Sequence, residues 1–290
     1  MIAFPAEARC PSHPDRAAAA TCSRCGLFVC EACLSSRDPA LCSACQERRS
    51  AEASLLGLTA YSFAGALGAG FRLLISRLWF FAVVCALFSV PEAIMDATLE
   101  EAQVGFRTSY WASSLYGSTI GLIGVIACLA TMAAGVQGRS LRLREALAEG
   151  LHAWGRVFVA RLWAGIKISL WSLLLIVPGI VKWVQLSLVT PAAYLEPTAD
   201  SHSRSEYLTD GVRWSLLGLL LLSTGMAIAA STIPSLLLGM AAELAPVLNL
   251  PGTCCSDWIV NVALLYPEAV ALAAYYALRA QKDADQASVG

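Results

Sequence analysis

The sequence predicts an all-α integral membrane bundle of about six transmembrane helices, preceded by a small metal-binding module. Of the 290 residues, 57% are hydrophobic and 14% are charged, whereas soluble domains carry about 25% charged residues. Seven of the eleven cysteines lie within the first 45 residues, before the first long apolar run. We therefore expect a zinc-binding module at 1–50, a linker at 51–77, a transmembrane domain at 78–282 and a polar tail at 283–290.

The overall charge excludes one class of partner. The chain has a net charge of −1, and proteins that follow a nucleic-acid backbone need a basic surface to neutralise phosphates. We expect contact with membrane lipid and no nucleic-acid partner. The N-terminus has no basic region followed by an apolar run, as a secretory signal would, so the module is expected to stay in the cytoplasm. A reducing compartment disfavours disulfides there.

Eight candidate metal ligands occur as four pairs, each with two intervening residues. The pairs are Cys10 and His13, Cys22 and Cys25, Cys30 and Cys33, and Cys42 and Cys45. A C-x-x-C turn presents two thiolates to one ion from the same side, and two such turns complete a tetrahedron. Eight ligands therefore predict two structural Zn²⁺ ions with no open position for a catalytic water. About 40 residues cannot bury a sufficient apolar core, so the metal would replace it.

An iron–sulfur cluster and a disulfide framework are both less compatible with the pattern than structural zinc. An iron–sulfur cluster does not account for His13, which together with four regular pairs suits two mononuclear tetrahedral sites better. The β-prone link 26–29, if extended, separates its flanking pairs by roughly 15 Å at about 3.3 Å per residue. This favours placing those two pairs on different ions, and it leaves both interleaved and sequential pairing open.

At these residues the module resembles a B-box-type zinc finger. The shared pattern is C-x-x-H, then C-x-x-C, four residues, C-x-x-C and a final pair. The resemblance implies interleaved ligation, with one ion held by Cys10, His13, Cys30 and Cys33 and the other by Cys22, Cys25, Cys42 and Cys45. Because all eight positions are filled, we expect the module to be a docking surface that recruits a protein partner and not a reaction centre. B-boxes commonly end in histidines, whereas this chain ends in Cys42 and Cys45.

Six apolar runs are long enough to cross a hydrocarbon layer about 30 Å thick. They are residues 78–95, 116–137, 158–178, 180–196, 214–240 and 258–278. Residues 54–76 are also apolar, but they are rich in small residues and end near Arg72 and Arg77. We interpret them as an interfacial helix that leads into the first crossing, with a seventh crossing as the alternative.

Basic residues in alternate connections predict the orientation of the bundle. They are Arg139, Arg142, Arg144, Arg156 and Arg161 before the third crossing, Arg204 and Arg213 before the fifth, and Arg279 and Lys282 after the sixth. The segment 241–257 has no Lys or Arg. Because basic loops face the cytoplasm, we expect both termini on the cytoplasmic side of the inner membrane.

A second resemblance concerns the middle of the transmembrane domain. A Pro-Gly step cannot continue a helix, so we expect a tight turn between the third and fourth crossings at Pro178 and Gly179. This part of the chain resembles the membrane domain fused to some glycerophosphodiester phosphodiesterases and its stand-alone relatives. The matching residues are Pro178, Gly179, Glu196, Arg204, Ser205, Leu208 and Gly211. The resemblance implies a bacterial multi-helix membrane protein, without the phosphodiesterase activity, whose barrel needs roughly 250 further residues.

Two charges lie near the middle of predicted crossings, Lys167 in the third and Glu268 in the sixth. Each costs at least about 2.5 kcal/mol if left alone in lipid. We therefore expect an ion pair between them that faces the bundle interior. This pair is the basis of an alternative function, that of a transporter or lipid-handling protein.

Three further expectations concern single segments and residues. The leucines of segment 139–157 are spaced as in an amphipathic surface helix, and Cys254 and Cys255 fall in the predicted outer loop. An intramembrane protease would need a serine in a G-x-S-G setting and a histidine within a span. Ser118 follows Gly117 but has a different context, and no predicted span holds a histidine. We therefore predict a non-enzymatic zinc-binding membrane protein.

Overall fold

A computed structural model describes residues 8–22, 25–35, 41–45, 47, 52, 56–58, 60–197, 199–244 and 249–289. The chain separates into two compact units. The first unit comprises Met1–Tyr61 together with Tyr276–Gly290, and the second comprises Ser62–Tyr275. The first unit contains the Cys-rich module, and the second contains most of the helices.

The described part of the module is built from four short strands in two antiparallel pairs. They are β1 (Arg9–Cys10) with β2 (His13–Ala17), and β3 (Ala20–Thr21) with β4 (Phe28–Val29). The β-prone link forms β4, as its residue types predict. Gly26 has a φ of +71°, a conformation that glycine adopts without steric cost, and it turns the chain back into β4. A 3₁₀ turn, Glu31–Cys33, follows β4.

The first unit also contains a contact between the two ends of the chain. The side chains of Glu52 and Arg279 form an ion pair and are only 5% and 6% exposed. The Arg279 guanidinium lies 5.1 Å from the centre of the Tyr276 ring. The backbone N–H of Tyr61 donates to Oε1 of Gln281 at 3.4 Å. The segment that follows the module is therefore attached to the C-terminal part of the last helix.

Ten α-helices lie within the described residues. They are α1 (Phe63–Ser76), α2 (Leu78–Glu101), α3 (Phe106–Tyr116), α4 (Leu122–Val136), α5 (Leu143–Leu174), α6 (Ile176–Leu186), α7 (Val189–Leu195), α8 (Ser201–Thr209), α9 (Arg213–Leu244) and α10 (Asn249–Val289). A π-helical turn, Gly117–Gly121, joins α3 to α4. The C-terminal part of α10 belongs to the first unit.

Six segments of the described chain are long and apolar enough to cross a membrane, which confirms the predicted number. They are Leu78–Leu99, Phe106–Val136, Leu143–Leu174, Ile176–Leu195, Arg213–Ala241 and Pro251–Asp285. Helix α1 has 14 residues and rises about 21 Å, less than the ~30 Å of a bilayer core. Its location at the interface stays a prediction, and residues 54, 55 and 59 lie outside the described residues.

Most of the segment predicted as a surface helix, 139–157, is helical, but it is the first half of the continuous helix α5 and not a separate element, and its location at the membrane surface stays a prediction. Its buried face consists of small residues. They are Ala146, Gly150, Ala153, Val157, Ala160 and Ala164. A Cβ at Gly150 would lie 2.8 Å from the carbonyl oxygen of Ile123, whereas Leu151 is 65% exposed. Helices pack closely through small residues that let backbones approach, so the small residues and not the leucines determine this contact face.

The turn predicted at Pro178 and Gly179 lies three residues earlier. Leu175 is extended, with φ −162° and ψ 143°, and separates α5 from α6. Pro178 falls in the first turn of α6, where a backbone N–H has no intrahelical acceptor and its absence breaks no bond. A Cβ at Gly179 would lie 2.8 Å from Cα of Ser172, so glycine is needed there for close approach of the two helices.

The predicted outer loop at 241–257 is also corrected. Helix α9 continues to Leu244 and α10 begins at Asn249, while residues 245–248 lie outside the described residues. Cys254 and Cys255 are therefore helical, and both are free thiols. Neighbouring side chains on a helix project about 100° apart, which disfavours oxidation of these two residues to each other.

Candidate metal centre and polar sites of the bundle

The eight predicted ligands gather into two clusters. Cluster 1 contains Cys10, His13, Cys30 and Cys33, and cluster 2 contains Cys22, Cys25, Cys42 and Cys45. Within each cluster the ligand atoms all lie within 4.8 Å of one another. This grouping is the interleaved one, in which the first and third pairs share one site and the second and fourth share the other.

The strands position cluster 1 from two sides. In the β1–β2 hairpin Cys10 lies opposite His13 in register, so both side chains reach the same point. The 3₁₀ turn after β4 supplies the other two ligands, and its backbone N–H at Cys33 donates to the carbonyl of Cys30 at 2.9 Å. A hairpin and a tight turn thus hold the four ligands without help from an apolar core.

Cluster 2 is assembled by a knuckle and a β-bridge. A hydrogen bond from Gly26 N–H to the carbonyl of Cys22, at 2.8 Å, closes the first knuckle. An isolated β-bridge between Leu34 and Cys42 brings the last pair alongside it. The N–H of Cys42 then donates to Sγ of Cys22 at 3.3 Å, a contact that favours the thiolate because the acceptor is charged.

Most distances between ligand atoms are close to those of tetrahedral coordination; the exception is the 3.1 Å between Nδ1 of His13 and Sγ of Cys33, which is shorter. Sγ of Cys10 lies 3.7 Å from Sγ of Cys33, and Sγ of Cys25 lies 3.9 Å from Sγ of Cys42. Nδ1 of His13 lies 3.5 Å from Sγ of Cys30. Two sulfurs bound to one zinc at about 2.3 Å in a tetrahedron are separated by about 3.8 Å, whereas a disulfide needs about 2.05 Å. The donor sets are three thiolates with one imidazole and four thiolates, which are sets that could hold a soft metal ion.

The pKa values of these thiols differ, because some thiols accept backbone hydrogen bonds and others are buried. The backbone N–H of Cys30 lowers the pKa of Cys10 to about 6. Burial, together with the neighbouring Cys10 thiol, raises the pKa of Cys33 to about 11. Burial also raises the pKa of Cys45. Several thiolates this close repel one another unless a cation lies between them, so binding a dication would deprotonate the set and release protons.

In the bundle, the predicted pair between Lys167 and Glu268 is wrong. Glu268 pairs instead with Arg161, whose Nη2 lies 3.7 Å from Oε1. Lys167 lies six residues further along α5, which places it about 120° around the helix from Arg161. It is exposed, and its positive charge acts on His202. The rotation of α5 about its axis therefore decides which cation meets the carboxylate.

Two residues of the second resemblance, Glu196 and Arg204, form another polar site of the bundle. Nε of Arg204 lies 3.0 Å from Oε2 of Glu196, and Oη of Tyr275 donates to Oε1 of Glu196 at 2.6 Å. Oγ of Ser205 donates to the carbonyl of Gln185 at 2.6 Å. Sequence reasoning missed Tyr275, because an apolar run of alanines and tyrosines carries no sign of a polar partner.

The chain was compared with protein-family models, curated proteins and solved structures, and none of them matches it. The metal clusters and the buried charges therefore carry the functional argument by themselves. The described residues contain two sites that could hold a metal ion and six helices that could span a membrane.

Proposed function

We propose that this chain is a non-enzymatic, zinc-binding integral membrane protein whose Cys-rich module recruits a protein partner to the bilayer. The observation that carries the proposal is the pair of four-ligand clusters with tetrahedral spacings. All four positions of each tetrahedron would be taken by protein atoms. The ions would therefore be structural, since a catalytic zinc keeps one position for water or substrate.

Zinc would supply the stability that the module cannot obtain from burial. Its core consists of Cys22, Val29, Leu41, Cys42 and Cys45, so most of its buried side chains are themselves candidate ligands. A structural zinc site contributes on the order of 10 to 16 kcal/mol of binding free energy to folding. The module is therefore expected to be folded only when loaded.

Two observations support a recruiting role on the cytoplasmic side. Leu27, at the tip of the β3–β4 turn, is 51% exposed and offers an apolar contact. The ion pair of Glu52 with Arg279 places the segment after the module beside the C-terminal part of α10. An even number of crossings would put both ends of the chain on one side of the membrane, and this contact is compatible with that arrangement. The basic connections favour the cytoplasm for that side, in a bacterial inner membrane.

Metal content tests the first half of the proposal. The full-length protein, purified in detergent without chelator, is expected to contain two zinc atoms per chain by elemental mass spectrometry. Cys10→Ser and Cys22→Ser each remove a ligand from a different cluster, so each should retain one. Cys255→Ser is the matched control and should retain two. Fewer than two metals in the unmodified chain, or iron in place of zinc, would contradict the proposal.

Capture of a partner tests the second half. Membranes that contain the tagged full-length chain are cross-linked and purified in parallel for the unmodified protein, Cys22→Ser and Cys255→Ser. We expect a partner protein that co-purifies with the unmodified protein and with Cys255→Ser but not with Cys22→Ser. Equal capture by all three would show that the zinc module does not recruit it.

A further inference from the structure

Arg161 lies between two cavities of the second unit. The first is an apolar groove of about 1030 Å³ between the π-helical turn and α5, lined by Phe158, Leu162, Ile166 and Leu170 among others. The second is a smaller, more polar cavity of about 290 Å³ lined by residues of α5, α6, α7, α9 and α10. Arg161 and Gly165 line both cavities, so the two meet at these residues.

The polar cavity combines both charges with hydroxyl groups. Besides Arg161 it is lined by Glu268 and by the side chains of Ser187, Thr190 and Thr224. The apolar groove contains Arg161 but not Glu268. A ligand that lies along both cavities would therefore meet an apolar wall first, then the guanidinium, then the carboxylate.

Neither charge is satisfied by its protein neighbours. In the part of the chain that the structure describes, Arg161 and Glu268 form one ion pair of 3.7 Å, and neither side chain makes a hydrogen bond. A guanidinium carries several N–H donors, and a carboxylate accepts several hydrogen bonds. The side chains of Arg161 and Glu268 are 43% and 27% exposed, so both charges are open to the cavities. A ligand with the complementary charges would supply the hydrogen bonds that the ion pair lacks.

We infer that the two cavities form a binding site for a phospholipid with a primary amine in its head group. An acyl chain occupies the apolar groove, the phosphate lies on Arg161, and the ammonium group lies on Glu268. The order of apolar wall, cation and anion in the protein matches the order of chain, phosphate and amine in such a lipid. This inference goes beyond the proposed role of the zinc module and is independent of it.

The charges favour this head group over the other common ones. Arginine binds phosphate oxygens through paired N–H donors. A primary ammonium donates hydrogen bonds to a carboxylate, whereas a trimethylammonium group has no N–H to donate. A head group with a net negative charge would be repelled by Glu268. An ordinary lipid-facing groove, by contrast, needs no charged residues at all.

Binding measurements on the full-length protein, stripped of lipid in detergent, test the inference. The probes are lysophosphatidylethanolamine, lysophosphatidylcholine and lysophosphatidylglycerol with identical acyl chains, and phosphoethanolamine without a chain. Trp183 lines the polar cavity, so its fluorescence reports binding. We expect lysophosphatidylethanolamine to bind at least about tenfold more tightly than each of the others, a difference of about 1.4 kcal/mol.

Variants separate the head-group contacts from folding. Arg161→Gln and Glu268→Gln should each weaken binding of lysophosphatidylethanolamine by about tenfold or more, the size of a lost charge-assisted hydrogen bond. Lys167→Gln is the matched control on the same helix, since Lys167 lines neither cavity, and it should bind normally. Gly165→Leu fills the junction between the cavities without removing a charge. A Cβ at this position meets no atom within 4 Å, so this variant should fold and lose binding.

Several outcomes would overturn the inference. Equal affinity for the three lysolipids, or tighter binding of lysophosphatidylglycerol, would contradict the assignment of the amine to Glu268. If phosphoethanolamine binds as tightly as lysophosphatidylethanolamine, the groove holds no acyl chain. Unchanged binding in Arg161→Gln, or an equal loss in Lys167→Gln, would remove Arg161 from the site. If Gly165→Leu is folded by thermal unfolding and still binds normally, the two cavities do not form one site.

Discussion

At the scale of single residues, buried charges in this chain depend on partners that are far away in sequence. Glu52 and Arg279 are joined across most of the chain length, and both side chains are almost fully buried. Removing one partner from such a pair leaves an uncompensated buried charge, while removing both often costs little. The burial of Glu52 therefore involves a partner that lies more than 200 residues away in sequence.

The ion pair makes a prediction about stability. Arg279→Leu and Glu52→Leu should each lower the free energy of unfolding by about 3 to 5 kcal/mol, and the double variant should recover much of that loss. Thermal unfolding of the purified protein in detergent measures all three. If the loss in the double variant equals the sum of the two single losses, the side chains are not coupled.

His202 makes a prediction about pH. It lies in α8, where burial, followed by the positive charge of Lys167, lowers its pKa below the ordinary 6.5, while Asp200 and Glu206 act in the opposite direction. The unfolded chain therefore binds a proton at a higher pH than the folded chain does. The stabilisation that neutral His202 provides is present above about pH 6.5 and is lost as the pH falls below it.

The measurement is the thermal midpoint between pH 5.5 and 7.5. His202→Gln should show a smaller decrease at the acid end than the unmodified protein. His152→Gln is the control, because His152 is exposed on α5, and it should follow the unmodified profile. A decrease of equal size in His202→Gln would exclude this residue as its source.

At the scale of elements, small residues decide how the helices of the bundle meet. Helix α5 packs with its stripe of alanines and glycines, and its leucines point outward. The hairpin between α5 and α6 likewise depends on Gly179 for close approach. In lipid there is no hydrophobic gain from burying leucine between helices, so close backbone packing determines the contact face.

Two glycines of α5 form a matched pair for testing this packing. Gly150→Ala places a methyl group 2.8 Å from the carbonyl oxygen of Ile123, and overpacking of this kind costs about 1 to 3 kcal/mol. At Gly155 an added Cβ meets no atom within 4 Å. Gly155→Ala should therefore stabilise the helix by up to about 1 kcal/mol. Equal effects of the two changes on the free energy of unfolding would contradict the packing described for α5.

At the scale of the whole molecule, the chain combines two sources of stability. The module has few apolar side chains and two clusters that could hold metal ions. The second unit is held by packed helices and buried side chains such as Phe81, Leu272 and Tyr275. Removing metal should therefore affect the two parts very differently.

Hydrogen exchange after chelation measures that difference. We expect amide protection in residues 8–45 to be lost when zinc is removed and to return when it is restored, because metal binding is coupled to folding. Protection in α2, α4 and α9 should stay unchanged. Lowering the pH should have the same effect as the chelator, since protons compete with zinc for thiolates. Protection of the module that survives chelation would contradict a metal-dependent fold.

Several features of this protein follow from the sequence by itself. The spacing of Cys22 and Cys25, and of the other pairs, identifies the candidate ligands because a two-residue gap is a local geometric requirement. The six crossings follow from the length of each apolar run, which depends only on the rise per residue and the thickness of the bilayer. Neither inference needs to know which way a side chain faces.

The tertiary structure alone decided which groups meet. Glu268 pairs with Arg161 and not with Lys167, because the rotation of α5 turns one cation toward α10 and the other away from it. The same rotation buries alanines in place of leucines, and the position of Leu175 determines where the hairpin bends. These outcomes depend on contacts between segments that are distant in sequence. A local pattern of residues does not predict the free energies of such contacts.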